Sequence, residues 1–573
     1  MTATCIMVLG TTSGAGKSWL ATALCRYYAR QGLKVVPFKA QNMSNNARVV
    51  ASSNGQGEIG SAQYFQALAA KALPDVRMNP LLLKPEADTH SQVVLMGEVS
   101  AELTAMPWRG RSVHVWPQIA AALDELRAEN DVVVIEGAGS PAEINLSSSD
   151  IVNMRVALHC NAACLLVTDI DRGGAFAHLY GTWALLPAPE RALIKGFVLN
   201  KFRGDAALLA PAPQMLQDLT GIPTVATLPM WWQHGLPEED GVFDMAPTFG
   251  TGVSSLPPEG APASSGGRAP LSDCSTTRGE VQLTVAVVAY PRISNLDEFQ
   301  PLKNIPGVRL MWVRSPAELA GLSPCDWVVL PGSKSTTADL AWLRSQGLDA
   351  AVARHAAQGG AVLGVCGGLQ MLGEALVDTH GVDGNAPGLG LLPLVTLFLP
   401  DKTVRHTQTR FVEDMGAEVM DGLPSDPLAH SPAVEGQAEG LNLSKAHKFA
   451  PGLTANSRGQ WSAQCHNPWS ALAGVQVSGY EIHHGQTAQH PAMAQAGDVA
   501  RAVLPGGLGW QNGAGNVLGI YLHGLFEDPA APQALFASRL DGPVPTLDAV
   551  FERMADFIAT HFEPGVLQAL LKP

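Results

Sequence analysis

A short glycine-rich segment near the start of the sequence most narrowly limits how this chain can fold. Residues 10–18 read GTTSGAGKS; the apolar run 4–9 precedes them, and apolar residues recur at helical spacing through 18–30. Glycines let the backbone curl so that its N–H groups face a phosphate, and the start of the following helix adds a partial positive charge. The segment therefore predicts a strand, a phosphate-binding loop and a helix.

We predict that this loop binds the phosphates of a nucleotide. The Lys17 ammonium can neutralise β- and γ-phosphate oxygens, and the Ser18 hydroxyl can ligate Mg²⁺. Gly10 lies one place earlier than in the common Walker pattern, a spacing that resembles the dethiobiotin synthetase branch of P-loop proteins. The alternative is a glycine-rich turn with a chance GKS. The predicted nucleotide-binding residues are Gly10, Thr11, Gly14, Gly16, Lys17 and Ser18.

Apolar segments recur through the first 230 residues and alternate with helix-like segments. Continuous apolar runs flanked by helices are typical of strands that are buried on both faces of a parallel sheet. We therefore predict a mostly parallel, doubly wound sheet. Its further strands are expected at 34–38, 132–135, 163–168, 194–199 and 224–228.

Carboxylates follow two of these predicted strands. Glu136 ends the run VVVIE, where a nucleotide site needs a further Mg²⁺ contact, so we predict that Glu136 and Ser18 hold the metal. Asp169 and Asp171 lie in TDIDRGGAF after another strand and can hold metal or substrate; Asp171 is our predicted substrate contact. Carboxylates at such positions also cap helices, which is the alternative.

The segment FKAQNMSNNAR, residues 38–48, concentrates side-chain amides beside a cation. Amides both donate and accept hydrogen bonds, so the segment suits a substrate that carries carboxylates and carboxamides. A polar loop with Asx turns is the alternative. The predicted substrate contacts are Lys39, Gln41, Asn42 and Asn45.

A change of composition separates the two halves of the chain. Residues 246–280 are rich in Gly, Pro, Ser and Thr and have no apolar periodicity, which predicts a linker. A second α/β pattern begins at Leu283, and residues 413–476 interrupt it with Gly-, Ala-, Ser- and Asn-rich sequence that we interpret as a surface insertion. The predicted domains therefore span 1–245 and 281–573.

Cys366 lies where an apolar strand gives way to two glycines and a helix, in the run AVLGVCGGLQMLG at 361–373. This pattern is typical of a nucleophile presented on a sharp strand-to-helix turn. The N–H of Gly367 and the start of the helix can lower the thiol pKa and stabilise an oxyanion. A lone buried cysteine more often packs in a core, but the flanking glycines favour the nucleophile.

A second strand end, GIYLHGLFEDP at 519–529, carries the natural general base for this thiol. We pair His523 with Cys366 as a catalytic dyad. Glu527 is the nearest acid that can orient the imidazole, and this role stays open. A third turn, LPGSKSTTADL, offers Gly332 as a further oxyanion residue, although the turn can equally be a helix N-cap.

The overall composition argues against several classes of protein. Asp and Glu total 51 against 37 Lys and Arg, a net charge of −14, which disfavours binding to nucleic acid. No basic residue precedes the first apolar stretch and no apolar run reaches about 18 residues, so neither a secretory signal nor a membrane span is expected. The eight cysteines form no C-x-x-C pair, and we expect mostly reduced thiols and a cytoplasmic location.

Together, these motifs resemble those of the cobyric acid synthases. In the order found in that family, the chain carries GTTSGAGKS, FKAQNMSNNA, VVVIEGAGSPAEIN, TDIDRGGAF, LPGSKSTTADLAWLR, GVCGGLQMLG, GYEIHHG and GIYLHGLFED. The resemblance covers most of the chain. It implies an α/β protein in which a dethiobiotin-synthetase-like P-loop domain, binding ATP and a corrinoid, precedes a class I glutamine amidotransferase-like domain.

The resemblance also implies a reaction. With ATP, Mg²⁺ and glutamine as nitrogen donor, the b, d, e and g carboxylates of adenosylcobyrinic acid a,c-diamide would become amides. Leu525 stands where related amidotransferases place a Glu, which favours the dyad. The alternatives are a cobyrinic acid a,c-diamide synthase, a P-loop partitioning or regulatory ATPase, or a glutaminase subunit. A small corrinoid is the expected partner, and the sequence carries no signal for an oligomeric state.

Overall fold

The computed structural model describes residues 2–52, 55–87, 90–231, 234–237, 283–415, 467–537 and 544–572. The predicted linker, 246–280, lies outside these ranges, as does 416–466 of the predicted insertion. The two halves of the chain each form an α/β unit, and both are built around a sheet.

The first unit contains twelve strands and eight α-helices within the described residues. Its strands are β1 (Thr4–Gly10), β2 (Val35–Phe38), β3 (Gln41–Met43), β4 (Ala47–Ser52), β5 (Gly55–Gly60), β6 (Leu81–Ala87), β7 (His90–Leu95), β8 (Glu98–Val99), β9 (Val132–Glu136), β10 (Ala163–Asp169), β11 (Ile194–Phe202) and β12 (Thr224–Pro229). Its helices are α1 (Lys17–Ala29), α2 (Ser61–Ala69), α3 (Ala101–Ala105), α4 (Trp108–Glu129), α5 (Met154–Cys160), α6 (Ala175–Leu185), α7 (Ala188–Arg191) and α8 (Ala212–Thr220).

Six of these strands form the predicted parallel sheet, in the order β12-β11-β10-β1-β9-β2. Apolar clusters cover both of its faces, so the strands are buried from two sides, as their continuous apolar runs indicate. Because β1 lies between β9 and β10, the carboxyl ends of the three strands bring Gly10, Glu136 and Asp169 to one edge. Ligands of open α/β sheets bind at such an edge.

The second half of the chain has thirteen strands and eight α-helices among its described residues. The strands are β13 (Leu283–Val288), β14 (Ile293–Ser294), β15 (Val308–Val313), β16 (Trp327–Leu330), β17 (Gly332–Ser333), β18 (Ala361–Val365), β19 (Ala375–Asp378), β20 (Ala386–Pro387), β21 (Leu394–Arg410), β22 (Gln476–Gln489), β23 (Arg501–Leu504), β24 (Gly509–Gln511) and β25 (Val517–Ile520). The helices are α9 (Pro316–Leu319), α10 (Thr336–Ser345), α11 (Leu348–Ala357), α12 (Gly367–Leu372), α13 (Pro491–Gln495), α14 (Ala530–Phe536), α15 (Leu547–His561) and α16 (Val566–Ala569).

The central sheet of this unit has the order β15-β13-β16-β18-β25-β24-β23, and its first five strands are parallel. The adjacent strands β18 and β25 lead directly to Cys366 and His523, so parallel pairing brings the two residues to one edge. A long antiparallel ribbon, β21 with β22, ends at the pair Arg410 and Gln476. The two ends of the predicted insertion therefore lie side by side.

Packing at the C-terminus crosses the predicted boundary between domains. Helix α15 shares a buried apolar cluster with α1, and Val550, Met554 and Ile558 lie on its buried face. Arg26 of α1 also forms ion pairs with Asp548 and with Glu552 of α15. The end of the predicted 281–573 domain thus packs against the first unit, because α15 has an apolar stripe that this unit covers.

Two further expectations concern the described residues. In these ranges no helix combines the length and apolar character that a membrane crossing requires. The thiols of Cys5, Cys25, Cys160, Cys164 and Cys366 are free. Cys325 is disulfide-bonded.

Candidate active sites

The phosphate loop follows β1 as predicted and enters α1 through a left-handed glycine. Gly16 has φ +94°, and a Cβ there would lie 2.1 Å from Asn200 Nδ2, so only glycine fits this position. The Lys17 ammonium donates hydrogen bonds to three main-chain carbonyl oxygens. These belong to Thr12 at 3.0 Å, Ser13 at 3.3 Å and Gly139 at 3.2 Å.

The other predicted loop residues take different positions around this lysine. A Cβ on Gly10 would lie 3.0 Å from Lys17 Nζ, so glycine leaves room for the ammonium. The buried Thr11 hydroxyl donates to Thr168 Oγ1 at 2.9 Å and ties the loop to β10. Gly14 is exposed at the outer turn. Gly14 is thus the exposed glycine of the loop, while Gly10 and Gly16 leave room for the Lys17 ammonium and for Asn200.

Glu136 is the buried acid of this site, and the side chains around it hold it ionised. Ser18 Oγ and Lys39 Nζ both donate to Glu136 Oε1 at 2.8 Å, while Gln66 Nε2 donates to Oε2 at 2.6 Å. Burial opposes ionisation, but the Lys39 charge and these hydrogen bonds outweigh it and lower the pKa of Glu136. The structure therefore joins the two predicted metal residues and adds Gln66, which no sequence motif indicated.

The Ser18 hydroxyl and the Glu136 carboxylate together suit Mg²⁺ that is bound with a nucleotide. Mg²⁺ is commonly held by one or two protein groups, with phosphate oxygens and waters completing the octahedron. A carboxylate and a hydroxyl meet that need. In the described parts of the chain, no group of three or more His, Cys, Asp or Glu side chains is placed to hold a metal ion. A metal here would therefore depend on the nucleotide's own oxygens.

The strand-end aspartates are both engaged by cations from β11 and the turn after it. Asp169 Oδ2 accepts from Lys201 Nζ at 3.2 Å, and Asp171 Oδ1 accepts from Arg203 Nε at 2.7 Å. Lys201 also donates to the carbonyl of Gly14 at 2.9 Å. Asp171, our predicted substrate contact, is thus paired with Arg203 beside the phosphate loop.

The carboxyl end of β11 contacts the phosphate loop, and no sequence motif indicated this contact. Asn200 Nδ2 donates to the Ala15 carbonyl at 2.9 Å and so contacts the loop directly. Beside it opens a cavity of about 480 Å³. Its lining residues are Phe202, Arg203, Gly204, Ala206, Thr227, Pro229, Met230 and, from α15, His561.

The amide-rich segment divides into buried and accessible side chains. Lys39 and Asn42 are buried, whereas Gln41 and Asn45 are half-buried. Asn45 Nδ2 donates to the Pro85 carbonyl at 3.2 Å, and its Oδ1 has no hydrogen-bond partner among the described residues. Gln41 and Asn45 therefore stay partly exposed, while the Lys39 ammonium pairs with Glu136.

Cys366 occupies the strained turn that its sequence context predicts. Its backbone has φ +53° and ψ −106°, a conformation that non-glycine residues adopt only under constraint. Tight packing supplies the constraint, since a Cβ on Gly368 would lie 1.8 Å from the Leu330 carbonyl oxygen. The sulfur is buried at the start of α12 and lies 3.6 Å from the Ile482 carbonyl oxygen.

The structure places a carboxylate, Glu298, beside the predicted Cys366 and His523 dyad. His523 Nδ1 lies 2.9 Å from Glu298 Oε1, and the N–H of Gly524 donates to Glu298 Oε2 at 2.9 Å. Glu298 lies in a 3₁₀ helix, Leu296–Asn304, far from His523 in sequence. Glu527, the acid left open above, contacts Arg48 instead. A carboxylate on Nδ1 leaves Nε2 to face the thiol.

This carboxylate changes the acid–base behaviour of the imidazole. Burial of His523 favours the neutral ring, but the Glu298 charge and the Cys366 sulfur outweigh it and raise the pKa of His523 to about 10. The imidazole is therefore protonated at neutral pH beside a sulfur that accepts its hydrogen bond. Cys–His nucleophiles use a protonated imidazole beside the attacking sulfur.

The two predicted oxyanion residues lie together next to this pair. Gly332 packs against the imidazole, because a Cβ on it would lie 3.0 Å from His523 Cε1. Gly367 packs against the same turn, since its own Cβ would lie 2.8 Å from the Ser333 nitrogen. Glycine at both positions permits close approach of backbone N–H groups to a substrate carbonyl.

Comparison with known proteins gives two matching family models. The CobQ/CobB/MinD/ParA nucleotide binding domain matches residues 6–235. The CobB/CobQ-like glutamine amidotransferase domain matches residues 284–423 and 426–531. The N-terminal match contains Lys17 and Glu136, and the C-terminal match contains Cys366, His523 and Glu298.

Full-length relatives share one name. A cobyric acid synthase from Albidiferax ferrireducens is 71% identical, with 100% of both chains covered. One from Leptothrix cholodnii is 57% identical over 99% of this chain and 97% of its own. Among solved structures, a glutamine amidotransferase matches 44% of this chain and 97% of its own, at 17% identity and a TM-score of 0.27.

Proposed function

The chain belongs to the cobyric acid synthase family, and we propose that it amidates the b, d, e and g carboxylates of adenosylcobyrinic acid a,c-diamide. The enzyme is a glutamine-hydrolysing, amide-forming ligase of cobalamin biosynthesis. The observation that carries the proposal is that one chain combines a strained thiol facing an imidazole with a phosphate loop facing a buried carboxylate. Both substrates, ATP and glutamine, are abundant in the cytoplasm, where we place the reaction.

In the first half-reaction the C-terminal site releases ammonia from glutamine. Cys366 Sγ attacks the side-chain carbonyl, and N–H groups at Gly332 and Gly367 stabilise the oxyanion. His523 then gives its proton to the departing nitrogen, so that ammonia leaves and a thioester remains. Water, with His523 as base, cleaves the thioester to glutamate and restores the thiol. Glu298 holds the imidazole in the orientation that these transfers need.

In the second half-reaction the N-terminal site activates a corrin carboxylate. A carboxylate oxygen is a poor leaving group, so transfer of the ATP γ-phosphoryl group gives an acyl phosphate that ammonia can attack. Lys17 neutralises charge on the phosphates during this transfer. Ser18 and Glu136 would hold Mg²⁺, which supplies further charge neutralisation. Gln41 and Asn45 face the polar corrin edge, and attack by ammonia releases inorganic phosphate and leaves the amide.

The cavity beside the phosphate loop suits the rest of the nucleotide. Phe202, Pro229 and Met230 give it apolar walls, and Arg203 adds a cation at the rim. A purine base with its ribose needs such a site, apolar on its faces and polar at its edge. ATP therefore fits with its phosphates on the loop and its base in this cavity.

Mass spectrometry of the corrin product tests the proposed substrate. We expect purified enzyme with adenosylcobyrinic acid a,c-diamide, ATP, Mg²⁺ and glutamine to convert four carboxylates to amides. Unamidated cobyrinic acid, the substrate of the rival a,c-diamide synthase, should be left unchanged. The proposal is wrong if the diamide stays intact while cobyrinic acid gains two amides, or if neither corrinoid reacts.

Replacement of Glu298 tests the added member of the thiol site. We expect Glu298→Gln to lower kcat for glutamine hydrolysis by about 10²- to 10⁴-fold, because the amide can no longer hold the imidazolium. The Glu298 charge raises the pKa of His523, so its removal must lower that pKa. The alkaline limb of the pH profile of kcat/KM for glutamine should therefore move to lower pH.

Glu318→Gln is the matched control for this substitution. Glu318 is an exposed glutamate of the same unit that caps α9, and its replacement should leave the pH profile unchanged. An unchanged rate and profile in Glu298→Gln would remove Glu298 from the mechanism.

A further inference from the structure

Arg48 is a charged side chain from the first unit that is wholly buried against the second. Its Nη2 contacts Asp297 Oδ2 at 2.9 Å and also contacts Glu527 Oε1. Arg48 and Asp297 are both 0% exposed. Removing charged groups from water costs several kcal/mol each unless they are paired, so this cluster needs all of its members.

Both acids that Arg48 holds lie on segments that carry the thiol site. Asp297 directly precedes Glu298, the carboxylate on His523 Nδ1. Glu527 closes the turn that begins at His523, where its own N–H donates to the Gly524 carbonyl at 2.9 Å. The Arg48 guanidinium therefore holds the segment of Glu298 against the turn of His523, so that the carboxylate can bond to the imidazole.

An aromatic side chain forms a second link to the same imidazole. The Arg48 guanidinium lies 5.1 Å from the centre of the Tyr480 ring, a cation–π distance. The same ring stacks on His523 with 5.3 Å between centroids and 15° between planes. Backbone hydrogen bonds between Tyr480 and His523 run in both directions, at 3.2 and 2.9 Å. Arg48, Tyr480 and His523 thus form one packed column.

The residues before Arg48 continue this contact along the chain. The N–H of Ala47 donates to Asn295 Oδ1 at 2.8 Å, and Asn295 Nδ2 lies 3.4 Å from His523 Nδ1. Asn46 Oδ1 accepts from the N–H of Leu296 at 3.0 Å. The last residues of the amide-rich segment therefore bond to the segment that supplies Glu298.

We propose that Arg48 is a positioning residue of the glutaminase, supplied by the synthetase half, which orients Glu298 and His523 through Asp297, Glu527 and Tyr480. The inference rests on the proposed roles of Cys366 and His523. The thiol site then depends on residues 46–48. A movement of the amide-rich segment is transmitted through these residues to the imidazole. Among the described residues, the charged or titratable groups that face His523 are Glu298 and Cys366. Arg48, Asp297, Glu527, Tyr480 and Tyr290 lie behind them.

Arg48→Lys in the full-length enzyme tests the proposal. Lysine keeps the charge but cannot bond two carboxylates in a plane and stack on Tyr480 at once. We expect kcat for glutamine hydrolysis to fall about 10²-fold, with KM for glutamine changed less than about threefold, since misplaced catalytic groups act on turnover. Amidation supplied with ammonium chloride should stay within about twofold of wild type. Because Glu298 would sit less closely on His523, the alkaline limb should also move to lower pH.

Arg26→Lys is the matched control. Arg26 is also buried, pairs with two acids, Asp548 and Glu552, and lies against an aromatic ring, but it joins the first unit to α15 far from the thiol. Its replacement should lower the Tm without any change in the glutaminase pH profile. Glu527→Gln provides a milder second variant that keeps volume, with an expected loss of about tenfold in the same direction.

The outcomes separate this inference from the proposed function. Glutaminase activity that Cys366→Ser abolishes establishes the thiol site, and the Arg48 variants then decide the inference. Equal losses in Arg48→Lys and Arg26→Lys, an unmoved pH profile, or an equal fall in ammonia-supported amidation would show a structural salt bridge and overturn it. Wild-type enzyme that releases no ammonia from glutamine would instead overturn the proposed function, and the inference with it.

Discussion

Cys366→Ser is expected to lower glutamine-dependent amidation by about 10⁴-fold or more, while amidation from added ammonia survives. The sulfur forms the bond to the glutamine carbon, so its loss removes the covalent route altogether. A serine hydroxyl cannot take its place, because the protonated imidazole of His523 is matched to a thiolate and not to a hydroxyl that must first lose its proton.

Two assays and one control variant check this expectation. Ammonia release from glutamine should vanish, and the corrin product should still form at high ammonium concentration and alkaline pH. Cys160→Ser is the control, because Cys160 is a buried free thiol whose Sγ lies near the Val156 carbonyl, a contact that serine keeps. Ammonia release that persists in Cys366→Ser would rule out this thiol as the nucleophile.

The elements that the sequence predicted correctly are those determined by local spacing. The phosphate loop needs its glycines and Lys17 within nine consecutive residues, and the elbow needs Cys366 between a strand and Gly367, so both patterns are readable along the chain. The parallel sheet of the first half follows from its apolar runs for the same reason. Features that depend on neighbouring residues are therefore visible as spacing patterns in the sequence.

Residues that act across long sequence separations were missed. Leu525, at the position where a Glu was expected, suggested a dyad, yet the structure supplies Glu298 from a 3₁₀ helix in the first part of the second half. The segment around it, NLDEFQ, has no pattern that marks one acid over its neighbour. Arg48 likewise looks like the end of a polar loop, and only folding shows it buried between two acids.

The structure places the predicted substrate contacts of the amide-rich segment in different environments. Lys39 as a substrate contact stays a prediction; in the structure its ammonium pairs with Glu136, whose burial requires a positive partner. Gln41 and Asn45 stay partly exposed in the same segment. Composition predicted a polar site in this segment. It could not give the role of each side chain, because the roles depend on which side chains the fold buries.

Lys17→Ala is expected to lower corrin amidation by about 10³-fold or more whether glutamine or ammonia supplies the nitrogen. The carbonyls of Thr12 and Gly139 hold the Lys17 ammonium in the phosphate loop, where it can meet the phosphates. Alanine leaves the charge of the transferred phosphoryl group without this counter-charge. Product formation and corrin-dependent release of phosphate from ATP measure the loss. Lys195→Ala, which removes an exposed lysine of the same unit, should change neither.

The comparison of Cys366→Ser with Lys17→Ala is the strongest test, because each substitution should inactivate one site and leave the other site active. Ammonia by-passes Cys366, so it should restore amidation in Cys366→Ser; it enters after carboxylate activation, so it cannot restore amidation in Lys17→Ala. Basal glutamine hydrolysis should survive in Lys17→Ala, since the Cys366, His523 and Glu298 set contains no part of the phosphate loop. Ammonia-supported amidation that persists in Lys17→Ala would mean that the phosphate loop does not activate the corrin carboxylates.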